Sequence, residues 1–428
     1  VEISGRVAMG QHEVEEMVPL EDVQRTVLAS CLPLAPIRLV LGASLGHVLG
    51  LDVHAPGDLP PFANTAMDGY AVRASDTSNA PVELRVVGVL AAGTAPSTPV
   101  GPGTAIQIMT GAPLPLGADG IAMVELTEPG SMEGTVRILE PVSAGAFIRA
   151  AGSDLHRGEL AVPAGTVIGP AHISLLASVD ATQVTAHPRP KVGVLSTGDE
   201  LADAAGPLGP GQIRDSNRLG LLAALERDGC VGIDLGVRRD DESAISAALR
   251  DGVDRCDAMI TTGGVSMGEF DFVKVALEAL VAEVGGAIHQ FKVAIKPAKP
   301  LSFAAVATRG RTVPVFGLPG NPVSSMVSYQ VVALPALRRL AGRRSPIPHR
   351  LPAICVDDLE RRRDGKLHLI RVVAAMGPDG RIVVRSAGEQ GSHQLAALAA
   401  ANALALVPDG DGVRAGGEVQ ILTFSELE

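Results

Sequence analysis

The chain contains no tryptophan, two tyrosines and eight phenylalanines in 428 residues. Its core must therefore be built from small aliphatic side chains, chiefly Ala and Val. No stretch approaches ~18 uninterrupted apolar residues, which argues against a membrane-spanning helix. The first residues show no basic region followed by an apolar run, so no targeting segment is read there. The four cysteines, Cys31, Cys230, Cys256 and Cys355, are scattered without a C-x-x-C pair. Free thiols in a reducing compartment follow, and a cytoplasmic protein with no membrane partner is expected. The ten histidines form no H-E-x-x-H or triad pattern, which leaves a zinc enzyme or serine hydrolase with little support. Positive charge is also short. A net charge of −11 argues against a nucleic-acid partner, so an anionic ligand must be held by a local cluster of cations and backbone N–H groups.

Glycine and proline are plentiful, 49 and 31 residues, and imply many tight turns. The length predicts two to four domains. Pro19 suits the first turn of a helix through Val23, Val27 and Leu28. From Val82 to Leu139 short β-branched runs alternate with Gly/Pro turns, as in a small β-rich domain. After HPRPK (187–191) strands alternate with helices through about residue 341, the pattern of a doubly wound, mostly parallel sheet. Beyond AGRRSPIPHR (341–350) strand-like runs separated by polar turns predict a C-terminal β domain. The fold expected is thus α/β and β multidomain, a central parallel-sheet domain with flanking β-rich domains.

Candidate chemistry collects where strands of the central sheet give way to small-residue loops, because ligands of open α/β sheets bind outside the carboxyl ends of the strands. STGDEL (196–201) offers the hydroxyls of Ser196 and Thr197 and the amide of Gly198 to an anion. Asp199 and Glu200 beside them can hold Mg²⁺. The same segment reads equally as a helix start with acidic residues on its positive end. IRDSN (213–217) is explained by helix capping through Asp215, although Asn217 can also reach a ligand. TTGGVSMGEFDF (261–272) is more specific. Gly263, Gly264, Ser266 and Gly268 make a loop costly in backbone entropy, and Asp271 stands where a magnesium ligand belongs. It is not a Walker A loop, since no G-K-[ST] follows. KVAIKPAKP (292–300) supplies Lys292, Lys296 and Lys299, point charges suited to a spherical oxyanion, although lysines on a solvated face need no such role. GLPGNPVSS (317–325) opens a helix through Pro319, Asn321 and Pro322, with Ser324 near its N-terminus. Asp68–Gly69 is the pair of an Asx turn, and Thr110 beside Gly111 contacts a phosphate or caps its own backbone. The Arg run 361–363 reads as a solvated hairpin.

Taken in order, PPFANTAMDGYAV, IMTGAPLPLGAD, VLSTGDEL, IRDSN, TTGGVSMGEFDF, KVAIKPAKP and GLPGNPVSS resemble the MoeA family of molybdopterin molybdenumtransferases, to which the C-terminal part of gephyrin and the plant Cnx proteins also belong. The resemblance covers roughly residues 12–425. It implies an elongated homodimer of four-domain subunits: 12–60 plus 147–187 as domain I, 61–146 as domain II, 188–342 as domain III and 343–428 as domain IV. It implies insertion of molybdenum from molybdate into adenylylated molybdopterin, with Mg²⁺-assisted release of AMP. Asp68, Thr110, Glu200, Asp271, Lys292 and Lys296 carry over as functional positions, with Glu200 and Asp271 on the metal. Lys299, Ser266 and Ser324 would line the site, and Arg371 and Ser392 would contact molybdate. Asp154 matches a family Asp beside Ser153, where an acidic residue is more usual. Two rival readings stand beside it. One is molybdopterin adenylyltransferase, a one-domain relative and a possible upstream partner. The other is a non-catalytic scaffold or paralogue, which would call for a further fused domain and linker.

Overall fold

A computed structural model describes residues 17–202, 206–264, 272–308 and 310–427. The chain forms two compact units. One holds the residues up to Ile37, Gly46–Val48 and Ala186 onward; the other holds Arg38–Leu45 and Leu49–Thr185.

In the unit of residues 49–185, alternating small apolar residues build a six-stranded sheet. Its strands are β1 (Gly69–Val72), β2 (Val82–Leu90), β3 (Thr104–Ile108), β4 (Gly120–Met123), β5 (Thr127–Pro129) and β6 (Thr135–Ile138). They lie in the order β4-β1-β3-β2-β6-β5. Period-two alternation sends Ala71, Ile106, Ile108 and Ile121 to one core and Val72, Leu84, Ala105 and Ala122 to another. Gly69 is required here by close approach rather than by a turn. A Cβ at this position would run into the carbonyl of Ala122 on the paired strand.

In the other unit, helix α1 (Leu20–Ala29) follows Pro19 and buries Leu20, Val23 and Val27 on one stripe. The buried Gln24 amide is satisfied by the Val331 carbonyl at 2.6 Å. The central sheet comprises β7 (Lys191–Thr197), β8 (Val231–Arg238), β9 (Ala258–Thr262), β10 (Gly286–Lys292), β11 (Pro300–Thr308) and β12 (Arg311–Leu318). Helices α2 (Ser216–Arg227), α3 (Glu242–Arg255), α4 (Phe272–Val284), α5 (Pro322–Ser328) and α6 (Leu334–Leu340) cover it. The strand order is β8-β7-β9-β12-β11-β10, parallel across the first four and antiparallel at β11 and β10. Val192, Val194, Phe316 and Leu318 face α1, α2, α5 and α6, whereas Leu195, Val313 and Val315 face α3 and α4. Burial on both faces explains why these strands read as continuous apolar runs.

The tail forms β13 (Leu351–Cys355), β14 (Leu367–Met376), β15 (Ile382–Ser386), helix α7 (Leu395–Ala400), β16 (Ala403–Val407) and β17 (Glu418–Thr423). The order β14-β15-β13-β17-β16 closes on itself through β14–β16 pairing, which removes the free edges. Buried Asn402 pins this closure. Its Oδ1 accepts from the Ala374 amide at 2.7 Å, and its Nδ2 donates to the carbonyls of Ala374 and Glu426 at 2.8 and 2.9 Å.

Asn402→Ala leaves the Ala374 amide and carbonyl without those partners and is expected to destabilise the barrel by about 2–3 kcal/mol. A lowered urea midpoint checks this, and an unchanged midpoint would contradict it.

Candidate active site

Strands β7, β9 and β12 end side by side at Thr197, Thr262 and Leu318, and the loops that follow converge. Gly263 adopts φ +89° and Gly264 φ +63°. A side chain on Gly263 would meet the Thr197 carbonyl, so the loop is glycine by steric necessity. Asn217, in the first turn of α2, ties the loops together: its Nδ2 donates to Thr262 Oγ1 at 3.2 Å and to the Gly320 carbonyl at 2.7 Å. Asp215 caps α2, accepting from the Arg218 amide at 3.2 Å, from Ser196 Oγ at 3.0 Å and from Arg218 Nε at 2.8 Å. Arg218 also reaches Asp234. The carboxylate is buried but paired and fully hydrogen-bonded, which is how a buried charge is tolerated.

Around these groups lies a cavity of about 570 Å³, lined among others by Thr197, Glu200, Asn217, Gly263, Asn321 and Pro322. The amino ends of α2 and α5 open onto it through Ser216, Asn217 and Pro322, an arrangement suited to phosphate. His393 and Leu395 of the C-terminal barrel region complete the wall.

Several expected residues sit elsewhere. Ser196 is buried and donates its hydroxyl to Asp215 rather than to the cavity. Gly198 is bound through its amide to the Arg238 carbonyl. Pro319 and Ser324 are buried beneath the loop. The DEL segment is not a helix start: Leu201–Ala202 is a short strand paired in parallel with Ile213–Arg214. Ser266 and Asp271 lie outside the described residues.

The three lysines belong to the connection from β10 to β11. Pairing of Lys292 with Pro300 and of Ser302 with Gly317 brings this connection to the same end of the sheet. Ile295–Lys296 then pairs in parallel with the first residues of β14, Leu367 and His368. Lys296 therefore lines a second cavity of about 440 Å³, with Pro297, Glu360, Arg361, Arg362, His368 and Gln390 among its walls. Of the Arg run, Arg362 and Arg363 are exposed as expected, but the Arg361 side chain is fully buried and held by carbonyls and carboxylates.

Between the cavities runs the loop Ala387–Gln394. Arg371, on β14, is fully buried beneath it. Arg371 Nη2 donates to the carbonyls of Glu389 and Gly391 at 2.7 and 3.2 Å, whereas Nε and Nη1 have no partner. Burial pushes its pKa below the ordinary arginine value. The Ser392 carbonyl accepts from the Val323 amide of α5 at 3.2 Å, so this loop is fastened to the site helix. In the other unit Asp68 and Thr110 meet directly. The Thr110 amide and hydroxyl donate to Asp68 Oδ1 at 2.6 and 2.7 Å, which holds the carboxyl below its usual range. Asp154 is exposed in that unit.

Comparison with known proteins decides the family. Residues 18–179 match the model of the MoeA N-terminal region (domain I and II), 193–339 a probable molybdopterin binding domain, and 359–424 the MoeA C-terminal region (domain IV). The chain is 35% identical over 391 residues to molybdopterin molybdenumtransferase of Haemophilus influenzae, covering 91% of this chain and 94% of that one. It is 39% identical to molybdopterin molybdenumtransferase 2 of Mycobacterium tuberculosis, covering 95% and 99%. A molybdopterin biosynthesis MoeA protein from Pyrococcus horikoshii superimposes with a TM-score of 0.79 at 30% identity, covering 96% of this chain and 100% of that one. The chain belongs to the MoeA family of molybdopterin molybdenumtransferases.

Beside this MoeA-family site stands Asp240, which carries no signal of its own in the sequence. Parallel pairing of β7 with β8 brings Asp240 beside the turn after Thr197, where its amide donates to Asp199 Oδ1 at 3.3 Å. Partial burial and the charges of Asp199 and Glu200 hold its carboxyl above the ordinary range. In the sequence it sits in RRDDE, ahead of Asp241, which caps α3, so the capping role of its neighbour masked it. Among the described residues no group of three acidic, His or Cys side chains is assembled as a metal site.

A carboxyl whose folded pKa lies above its unfolded value costs nothing at low pH, where both states are protonated. The cost appears as pH rises through the unfolded and then the folded value. Asp240→Asn is therefore expected to raise the urea midpoint at pH ~7 and to leave it unchanged near pH ~3.5. A variant no more stable than the wild type at neutral pH would contradict the crowding of Asp240 by Asp199 and Glu200.

Proposed function

We propose that this protein inserts molybdenum from molybdate into adenylylated molybdopterin, releasing AMP with the help of Mg²⁺. The observation that carries the reading is Arg371, a buried cation with two donors unmade, under a loop fastened to the phosphate-suited cavity. An isolated buried charge is costly, and a small oxyanion is the ligand that would complete its hydrogen bonds. Both free nitrogens are closed off from solvent, so the oxyanion reaches them as the Glu389–Ser392 segment gives way. Lys296 supplies the second positive charge. The names of the relatives point to the same substrates.

In this reading the larger cavity takes the phosphate end of the pterin nucleotide. Asn217, Thr197 and the amino ends of α2 and α5 orient the phosphoanhydride. Breaking that bond needs stabilisation of charge on the departing AMP more than it needs a strong nucleophile. Glu200 lies on the wall of this cavity, and a carboxylate there is a hard oxygen ligand of the kind a divalent cation takes. Glu200 would hold magnesium together with Asp271, and the ion would supply neutralisation of phosphate charge. Lys292 and Lys299 would add to the positive field, and in the homodimer Asp68 with Thr110 would be supplied by the second copy of the chain. The four-domain division at residues 60, 146, 187 and 342, the homodimer and an upstream adenylyltransferase partner belong to the same proposal. Among the described residues no helix is long and apolar enough to cross a membrane.

The test is AMP release from adenylylated molybdopterin under anaerobic conditions with Mg²⁺. Release should depend on molybdate, and Asp271→Ala should abolish turnover while leaving the fold intact. Arg371→Gln should raise the half-saturating molybdate concentration by about tenfold, the loss of one charge-assisted contact. Full AMP release by Asp271→Ala would remove that residue from the mechanism. An unchanged molybdate response in Arg371→Gln would remove Arg371.

A further inference from the structure

The amino end of α2 is held from two sides. On the cavity side Asn217 ties the Thr262 hydroxyl to the Gly320 carbonyl. On the other side Arg218, with a side chain only 7% exposed, lies across two carboxylates. Its Nε donates to Asp215 Oδ2 at 2.8 Å, and its Nη1 donates to Asp234 Oδ2. The buried Asp215 needs that cation and already answers its charge. Asp234 is not needed for neutralisation. It stands half-exposed on the edge strand β8 and lines a separate cavity of about 430 Å³, away from the phosphate-suited one. Asp234 is itself fixed by a bulge. Pairing of β8 with β7 slips between Val194–Asp234 and Ser196–Val237, so three steps along β8 match two along β7. Gly236, at φ +79°, makes the bend, and its amide donates to Asp234 Oδ1 at 2.8 Å. The same bulge sets where β8 ends, and so where the Arg238 carbonyl meets Gly198 and Asp240 meets Asp199.

We propose that Asp234 and Arg218 are positioning residues for the reaction, a brace that locks the Asn217 end of α2 to the bulged strand carrying Asp240. The brace rests on the reading of the neighbouring cavity as the phosphoanhydride site, and neither residue touches the substrate. Its contacts are unbroken. From Asp234 they pass through Arg218 to Asp215, and from Asp215 to the Ser196 hydroxyl at 3.0 Å. Ser196 Oγ lies 3.5 Å from the same Thr262 hydroxyl that Asn217 holds. A planar guanidinium can bridge two carboxylates at fixed angles, which a lysine ammonium cannot. Displacing an orienting group by about 1 Å can cost on the order of 100-fold in rate, so a small rotation of α2 is enough to matter.

The test pairs steady-state AMP release by the full chain with amide hydrogen exchange of residues 215–221, read by mass spectrometry. Asp234→Ala, Arg218→Lys and the double variant are compared with Arg250→Gln, which breaks an exposed ion pair between Arg250 of α3 and Glu283 of α4. Asp234→Ala should lower kcat about tenfold and change KM for the pterin nucleotide less than about twofold, the signature of lost orientation. Arg218→Lys should do the same, and the double variant should be no worse than either, because all three break one linkage. Arg250→Gln should keep the wild-type kcat. The Arg218 amide donates to Asp215 Oδ1 at 3.2 Å, so residues 215–221 should exchange faster in Asp234→Ala, an effect that needs no substrate. Wild-type kcat in Asp234→Ala, or losses that add in the double variant, would overturn the role in positioning. Unchanged exchange would overturn the brace whatever the activity. Faster exchange in a protein whose wild type releases no AMP would confirm the brace and sink the reading of the reaction instead.

Discussion

A guanidinium taken fully out of water must have its charge and its donors answered, and Arg371 has only one nitrogen hydrogen-bonded. Leaving a buried charged donor unmade costs about 1–3 kcal/mol or more, yet the surroundings are arranged to keep it there. Gln390 brackets the Arg371 backbone, the Gly391 amide donates to Gln394 Oε1 at 2.6 Å, and Gln394 reaches Glu389. The Ser392 carbonyl then anchors the segment to the first turn of α5. One buried cation thereby organises a chain of contacts from the barrel strand β14 to the helix that opens the main cavity.

The consequence is a division of space. On one side of the loop, strand ends and helix amino termini offer neutral donors and dipoles. On the other, Lys296 and the Arg361–Arg362 segment offer charge. In the proposed reaction those two chemistries suit two substrates: a phosphoanhydride that must be oriented, and a metal oxyanion that must be captured. The first side draws on Asp215, which binds Ser196 and Arg218 beneath the cavity floor and so fixes where α2 begins. Rigid support of this kind, rather than reactive side chains, is what charge-stabilising catalysis asks of a protein.

The parallel strands and their glycine loops were legible because burial on both faces writes continuous apolar runs, and because Gly263 and the Gly–Asn–Pro turn leave few other conformations open. The family resemblance rests partly on the same segments and partly on PPFANTAMDGYAV, IMTGAPLPLGAD and KVAIKPAKP. The antiparallel extension through β10 and β11 was not legible: between its strands lies KVAIKPAKP, whose lysines and prolines look like a loop and hide the edge strand Ile295–Lys296. From sequence Ser196 belongs with the strand-end ligand groups, but the partner that turns it inward, Asp215, lies 19 residues away. Arg361 looks solvated in the sequence for a similar reason. Its burial depends on the carbonyls of Val407 and Pro408, which the barrel closure alone brings near. Asp240 became visible only through strand pairing. These misses share one cause: each residue's role is set by a neighbour distant in sequence.

The most direct test of the account is anomalous diffraction at the molybdenum edge from crystals of the protein exposed to molybdate. A molybdenum peak is expected within hydrogen-bonding reach of Arg371 Nε or Nη1 and of the Lys296 ammonium, with the Glu389–Ser392 segment displaced to admit it. A well-occupied peak elsewhere, with Arg371 still closed under its loop, would contradict the claim that this buried cation is kept for the oxyanion.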